Sequence, residues 1–196
     1  MEKSRRILAL VLCGIVVASV ITVVTVQARD PTHHGTSDRD GDHDDKDHAL
    51  AALAAKLNGF QQVPAIISNG TGTFTATLSA DGTSINYTLT YSHLSSTAHA
   101  AHIHLGQAGV NGGVMVVLCG GGGKPECPTS GSVSGTITKD DVKALPDQGL
   151  AAGDFHSLLN AIRAGVTYVN VHTTNFPNGE IRGQVHFHGH DNDDDD

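Results

Sequence analysis

The stretch FTATLSADGTSINYTLTY, residues 74–91, decides the fold class. Apolar residues occupy every second position from Phe74 to Leu78 and again from Ile85 to Tyr91. Such alternation is typical of strands with one buried face, and the sequence Asp81-Gly82 between the two runs favours a tight turn. The stretch therefore predicts two antiparallel strands that pair with each other.

Residues 57–187 repeat this pattern of short apolar runs separated by glycine-rich turns. Two short helices interrupt it: Thr138 and Asp141 resemble a capping box, and Asp154 precedes apolar residues at helical spacing. The pattern predicts an all-β domain, a β-sandwich or Greek-key-like barrel of about seven to eight strands with two short helices. The further strand candidates are residues 99–105, 113–118, 130–138, 166–173 and 180–187, the last two joined by a turn at Pro177-Asn178-Gly179.

Residues 1–28 have the features of a targeting segment. A basic start precedes an uncharged apolar run at 7–26, and Val26-Gln27-Ala28 offers a small-x-small cleavage sequence. The run is also long enough to span a bilayer if it is retained. A signal peptide and an N-terminal membrane anchor both stay open. Either one predicts that the bulk of the chain is exported: secreted, periplasmic or at the cell surface.

Residues 29–52 and 188–196 are rich in histidine and aspartate, and they contain too few apolar residues to fold alone. We expect a disordered linker and an acidic tail. Such tracts either collect divalent metal ions or act only as solubilising segments. The net charge of −8 leaves no basic face for nucleic acid, so that class of partner is disfavoured.

Export bears on the cysteines. Cys13 lies in the apolar run, which leaves Cys119 and Cys127 as an even pair in the exported part. In an oxidising compartment this pair favours a disulfide, with two free thiols or a soft-metal site as the alternatives.

The sequence His102-Ile103-His104-Leu105 is the strongest candidate for chemistry. Successive strand residues point to opposite faces, so both imidazoles share one face while Ile103 and Leu105 take the core side. His172 lies on another predicted strand with the same alternation. The three histidines could form a three-nitrogen site for copper or zinc, or could simply hydrogen-bond to loop backbone.

Three other histidines, His93, His99 and His156, lack this geometry, and we expect each to be at the surface or bonded locally. No nucleophile arrangement stands out in the sequence. These patterns leave enzymatic activity open: they favour a non-enzymatic protein, with a copper-dependent oxidoreductase as the alternative.

Three ordered motifs mark the domain: LNGFQQVP at 57–64, AHIHLG at 101–106 followed by Asn111-Gly112, and AGVTYVNVHT at 164–173 followed by FPNGEIRGQ at 176–184. Together they resemble the CHRD domain, the module named after chordin and found in many exported microbial proteins. The resemblance covers about residues 57–187 and implies an all-β extracellular module. One departure is Gln62, where the family often has Glu. The growth-factor antagonism of chordin is not implied, because its cysteine-rich modules are absent from this sequence.

The domain is also similar, more weakly, to Cu/Zn superoxide dismutase, which has a His-x-His strand and a later histidine. That similarity implies copper ligation by His102, His104 and His172, with Arg182 guiding anions. Only His156 lies between His104 and His172, so the zinc cluster of the enzyme is not matched. A dismutase-like site would be copper-only and would lack a fourth ligand.

Two hypotheses follow. The first is an exported, non-enzymatic CHRD binding module for an unknown extracellular protein or surface ligand. The alternative is a copper- or zinc-binding metalloprotein with a three-His site, in which the His-rich segments buffer metal. Membrane contact would involve only the N-terminal segment.

Overall fold

The computed structural model describes residues 51–188. The targeting segment predicted at 1–28, the linker up to residue 50 and the tail from residue 189 lie outside the described residues. Within 51–188, no helix is both long and apolar enough to cross a membrane.

Nine strands and one α-helix form the described domain, which confirms the all-β prediction. Helix α1 (Phe155–Arg163) lies between the sixth and seventh strands. The strands are β1 (Ala52–Asn58), β2 (Thr71–Leu78), β3 (Ile85–Ser92), β4 (Ala98–Leu105), β5 (Val114–Cys119), β6 (Gly131–Ile137), β7 (Thr167–Thr173), β8 (Ile181–Gln184) and β9 (His186–His188).

The strands form one sheet in the order β5-β4-β7-β8-β1-β2-β3-β6, with β9 paired to β1. The predicted pairing of β2 with β3 is confirmed, and so is the β7–β8 hairpin. The two edges of the sheet approach each other, since the Tyr87 hydroxyl on β3 donates to the Leu118 carbonyl on β5 at 2.7 Å. The sheet is therefore a nearly closed barrel, and the inward residues of its strands form the core.

Strand β1 extends the domain beyond its predicted start at residue 57. Leu53, Ala55 and Leu57 alternate inward and are each at most 3% exposed. The local sequence did not predict this strand, because a run of Ala and Leu is also typical of helices. Next to it, a Cβ at Gly183 would lie 2.5 Å from the Lys56 carbonyl oxygen, so only glycine lets β8 approach β1 this closely.

The helix prediction was right at one place and wrong at the other. Asp154 caps α1, where its carboxylate accepts from the Ser157 amide at 2.9 Å. After Thr138, a 3₁₀ turn, Lys139–Asp141, forms in place of an α-helix. The chain then leaves the helical path, because the Lys143 amide donates to the Met115 carbonyl at 2.9 Å and joins the edge of β5. A second 3₁₀ turn follows at Pro146–Gln148.

The predicted disulfide is present between Cys119 and Cys127, whose Cα atoms are 5.1 Å apart. It closes a short loop that begins at the end of β5. In that loop, Lys124 forms an ion pair with Asp141 at 2.8 Å. The loop is thereby held against the segment that follows β6.

Candidate metal centre

Strands β4 and β7 position the three histidines that the sequence analysis selected. His102 and His104 lie two residues apart on β4 and so share a face. In the antiparallel register, His102 is opposite Asn170 and His172 is opposite Ala100. His172 is therefore the diagonal neighbour of His102, which is close enough for long side chains to meet across the strands.

The structure brings the three imidazoles together. The ring centroid of His102 lies 5.5 Å from that of His104 and 4.9 Å from that of His172. The centroids of His104 and His172 are 6.1 Å apart. One nitrogen from each ring lies within 4.8 Å of the other two. Three nitrogen donors at this spacing match the ligand type and number that copper and zinc sites use.

Hydrogen bonds to backbone carbonyls set the tautomers of two rings. His104 Nδ1 lies 3.0 Å from the Gly112 oxygen, and His172 Nδ1 lies 2.9 Å from the Pro177 oxygen. A carbonyl can only accept, so each Nδ1 carries the hydrogen and each Nε2 keeps a lone pair. Carbonyls that orient histidines in this way are typical of the outer layer of metal sites.

The Nε2 atom of His104 is the strongest indication of a ligand. It is buried and has no hydrogen-bond partner among the described residues. An unpaired buried acceptor costs about 1–3 kcal/mol, and this one belongs to a ring that has a nitrogen within 4.8 Å of a nitrogen of each of the other two rings. A metal ion bound there would satisfy it, so the residues present fit copper or zinc.

The third ring, His102, differs from the other two in which of its nitrogens carries the hydrogen. His102 Nδ1 lies 3.1 Å from His172 Nε2. Because His172 Nε2 carries a lone pair, His102 Nδ1 donates its hydrogen in the metal-free protein. A metal ion in place of that hydrogen would leave His102 with its proton on Nε2 and with Nδ1 as the ligand atom. The donor set would then be His102 Nδ1, His104 Nε2 and His172 Nε2.

The electrostatics of the cluster keep the rings neutral. Burial, followed by the nearby His172 and His104, lowers the pKa of His102 to about 4. Burial also lowers the pKa of His104 to about 4, against the opposing hydrogen bond to Gly112. Burial lowers the pKa of His172, and its bond to Pro177 opposes this. Neutral imidazole is the form that ligates metal, so the site is ready at neutral pH.

Arg182, to which the dismutase similarity assigned anion guidance, is buried beneath the loop between β4 and β5. Its side chain is only 1% exposed, and its guanidinium lies 3.5 Å from the centre of the Tyr168 ring. It donates to the carbonyls of Gln107 and Val110 at 3.0 and 2.9 Å, and to Asn111 Oδ1 at 3.3 Å. Its role is to hold the loop between β4 and β5.

That loop connects Arg182 with the cluster of three histidines. Gly112, whose carbonyl orients His104, is in the same loop, and its amide donates to the Tyr168 hydroxyl at 3.2 Å. Tyr168 in turn stacks on His104, with ring centroids 4.7 Å apart and planes within 5°. Sequence reasoning missed Tyr168, although its register position opposite His104 follows once β4 and β7 are paired.

Two buried polar residues support the turn that carries Pro177. The Asn170 side-chain oxygen, Oδ1, accepts a hydrogen bond from the Gln62 side-chain amide, Nε2, at 2.8 Å. A Cβ at Gly179 would lie 2.3 Å from the same Asn170 oxygen. Glu180 is fully buried and accepts from Ser95 and Thr173. Burial raises the pKa of Glu180, but these hydrogen bonds outweigh it and the net shift is downward.

The remaining histidines divide as the sequence analysis expected, with one addition. His93 lies beside Ser92, and His156 lies beside Asn160 on α1. His99 is exposed, but its ring centroid is 6.2 Å from that of His172. It therefore lies at the edge of the cluster, which a spacing of three residues from His102 did not predict.

A family model agrees with this architecture. The CHRD domain model matches residues 53–185, which run from β1 through β8 and include all three histidines of the cluster. No curated protein matches the chain significantly. The family match covers more than half of the sequence and confirms the resemblance on which the motifs depended. The chain therefore belongs to the CHRD domain family.

Proposed function

We propose that this CHRD domain is an exported binding module whose ligand is a single copper or zinc ion held by His102, His104 and His172. The observation that carries the proposal is the buried, unpartnered Nε2 of His104, on a ring that has a nitrogen within 4.8 Å of a nitrogen of each of the other two rings. Hydrogen bonding alone leaves this atom unsatisfied, whereas a metal ion satisfies it together with its neighbours.

The proposed role is binding rather than turnover. A dismutase-like reaction would need an exposed positive group to guide a small anion, and Arg182 is buried under the loop between β4 and β5. Because a buried Arg182 is not an exposed guide for anions, its burial weakens the copper-only dismutase alternative. Binding of an extracellular protein or surface ligand by the module is a second proposal, which rests on the family alone.

The disulfide supports the exported location. Disulfides persist in oxidising compartments and are rare in the cytosol. The Cys119–Cys127 bond is therefore consistent with a secreted, periplasmic or surface protein. In such a location, the His- and Asp-rich segments outside the described residues would collect divalent ions.

The test is a titration of the full chain with copper(II) and with zinc(II), followed by calorimetry. The His-rich segments bind in every variant, so the informative quantity is the difference between wild type and His102→Ala/His104→Ala/His172→Ala. We expect wild type to bind one more ion per chain with a Kd below about 1 μM, or about −8 kcal/mol. His93→Ala/His156→Ala removes two histidines away from the centre and is the matched control.

Thermal unfolding gives an independent readout. At a free metal concentration of about 100 Kd, binding adds about 2.7 kcal/mol to the stability of the folded state. For a domain of this size, that corresponds to a rise in Tm of about 10 °C. Equal stoichiometry, affinity and Tm shift in the wild type and a folded triple variant would overturn the proposal. If the triple variant does not fold, His102→Gln serves instead, because His102 is only half-buried.

A further inference from the structure

We propose that His99 is a fourth, exchangeable ligand of the metal centre. His99 coordinates the ion when it is copper(II) and not when it is copper(I). This inference rests on the function proposed above. Its first support is position: the His99 ring centroid lies 6.2 Å from that of His172, and the His104 centroid lies 6.1 Å from the same ring. His99 is thus as near to His172 as an assigned ligand is.

A local irregularity of β4 explains how His99 comes to this side. In regular alternation, His99 and His102 would point to opposite faces of the strand. The register of β4 shifts against β7 between Ala98 and Ala100, and against β5 between Ala101 and His102. Such bulges redirect side chains and are frequent beside functional sites.

The backbone of His99 is closely packed, whereas its side chain is exposed. A Cβ at Gly120 would lie 1.9 Å from the His99 carbonyl oxygen, so the chain packs closely there and requires glycine. The His99 imidazole is exposed and makes no hydrogen bond within residues 51–188. A rotation of its side chain therefore breaks no hydrogen bond and could bring a nitrogen to an ion held by the other three rings.

Coordination chemistry assigns a use to one mobile ligand beside three fixed ones. Copper(II) prefers four donors in a tetragonal arrangement, and zinc prefers four in a tetrahedron. Copper(I) is satisfied by fewer donors, and the three buried or half-buried rings supply them. His99 would then contribute to the affinity for copper(II) and little to that for copper(I).

The test compares His99→Ala with His93→Ala, which removes another exposed histidine that lies away from the centre. Each full-length variant receives less than one equivalent of copper(II), so that the tightest site fills first. Electron paramagnetic resonance then reports the number of nitrogen ligands. We expect the nitrogen hyperfine pattern to change in His99→Ala and not in His93→Ala. Exogenous imidazole should restore the wild-type spectrum of His99→Ala.

Affinities measured by competition complete the experiment. Loss of an outer-shell partner of a metal site costs about 10–100-fold in affinity, so we expect loss of this direct ligand to weaken copper(II) binding by at least about tenfold. Copper(I) affinity should be unchanged. An unchanged spectrum and copper(II) affinity in His99→Ala would overturn this inference alone. If the triple variant of His102, His104 and His172 binds copper as wild type does, the proposed function itself fails.

Discussion

Replacement of Arg182 by methionine tests whether this residue holds the fold or guides an anion. The substitution keeps most of the side-chain volume and removes the charge and all donors. Three acceptors lose their partner: the carbonyls of Gln107 and Val110, and the side chain of Asn111. The stacking contact with Tyr168, at 3.5 Å, is lost as well.

The magnitude follows from opposing terms. The acceptor loop is near the surface, so water can reach its carbonyls and each loss costs about 1 kcal/mol, the low end of the range for unsatisfied groups. The desolvated cation–π contact contributes about 2 kcal/mol. The guanidinium has no carboxylate partner among the described residues, and burying a charge is costly. Its removal therefore offsets part of the lost stability. We expect a net loss of about 3 kcal/mol.

Chemical denaturation of the metal-free protein measures this loss, with circular dichroism as the probe. Arg182→Lys keeps the charge without the planar fork, so we expect about half the effect. A second readout is metal affinity, because a looser loop no longer fixes the Gly112 carbonyl that orients His104. We expect about a tenfold loss, as for other outer-shell partners. A stability change within about 0.5 kcal/mol, as at an ordinary surface site, would refute the reasoning.

Three further perturbations test other parts of the domain. Burial raises the pKa of Tyr91 to about 12, so its stabilising contribution is present below pH 10, falls as the pH rises and is lost above pH 12. A tyrosine absorbance change complete near pH 10, without unfolding, would contradict this expectation. Glu180→Ala leaves the donors of Ser95 and Thr173 unpaired and should cost about 3 kcal/mol in denaturant unfolding, with Glu180→Gln less severe. Loss of the Cys119–Cys127 bond, whose residues are eight apart, should cost about 2 kcal/mol by loop entropy, and a Tm equal to wild type would argue against this.

Local patterns in the sequence predicted much of the architecture. The alternation at Phe74–Leu78 and the turn at Asp81-Gly82 are properties of a few adjacent residues, so the β2–β3 hairpin could be read directly. The Asp154 cap and the apolar spacing after it predicted α1 for the same reason. The disulfide was also predictable, because only two cysteines remain after the apolar N-terminal run.

Local sequence patterns gave wrong predictions where a distant partner decides the local structure. The helix expected after Thr138 stops after one turn, because β5 competes for the backbone amide of Lys143. The strand predicted at 180–187 divides at Val185, where the chain changes from pairing with β7 to pairing with β1. Neither competitor is adjacent in the sequence, so no local pattern contains this information.

The sequence by itself determined that His102 and His104 share a face, because alternation along a strand is a property of the backbone. It also determined the β class of the domain and the cysteine pair. Only the tertiary structure decided that His172 meets them, since it lies 70 residues from His102 and reaches it through the register of β4 with β7. The tertiary structure likewise left His104 Nε2 without a partner and placed Arg182 beneath a loop. Burial and convergence depend on how distant strands pair, and that pairing is a property of the whole barrel.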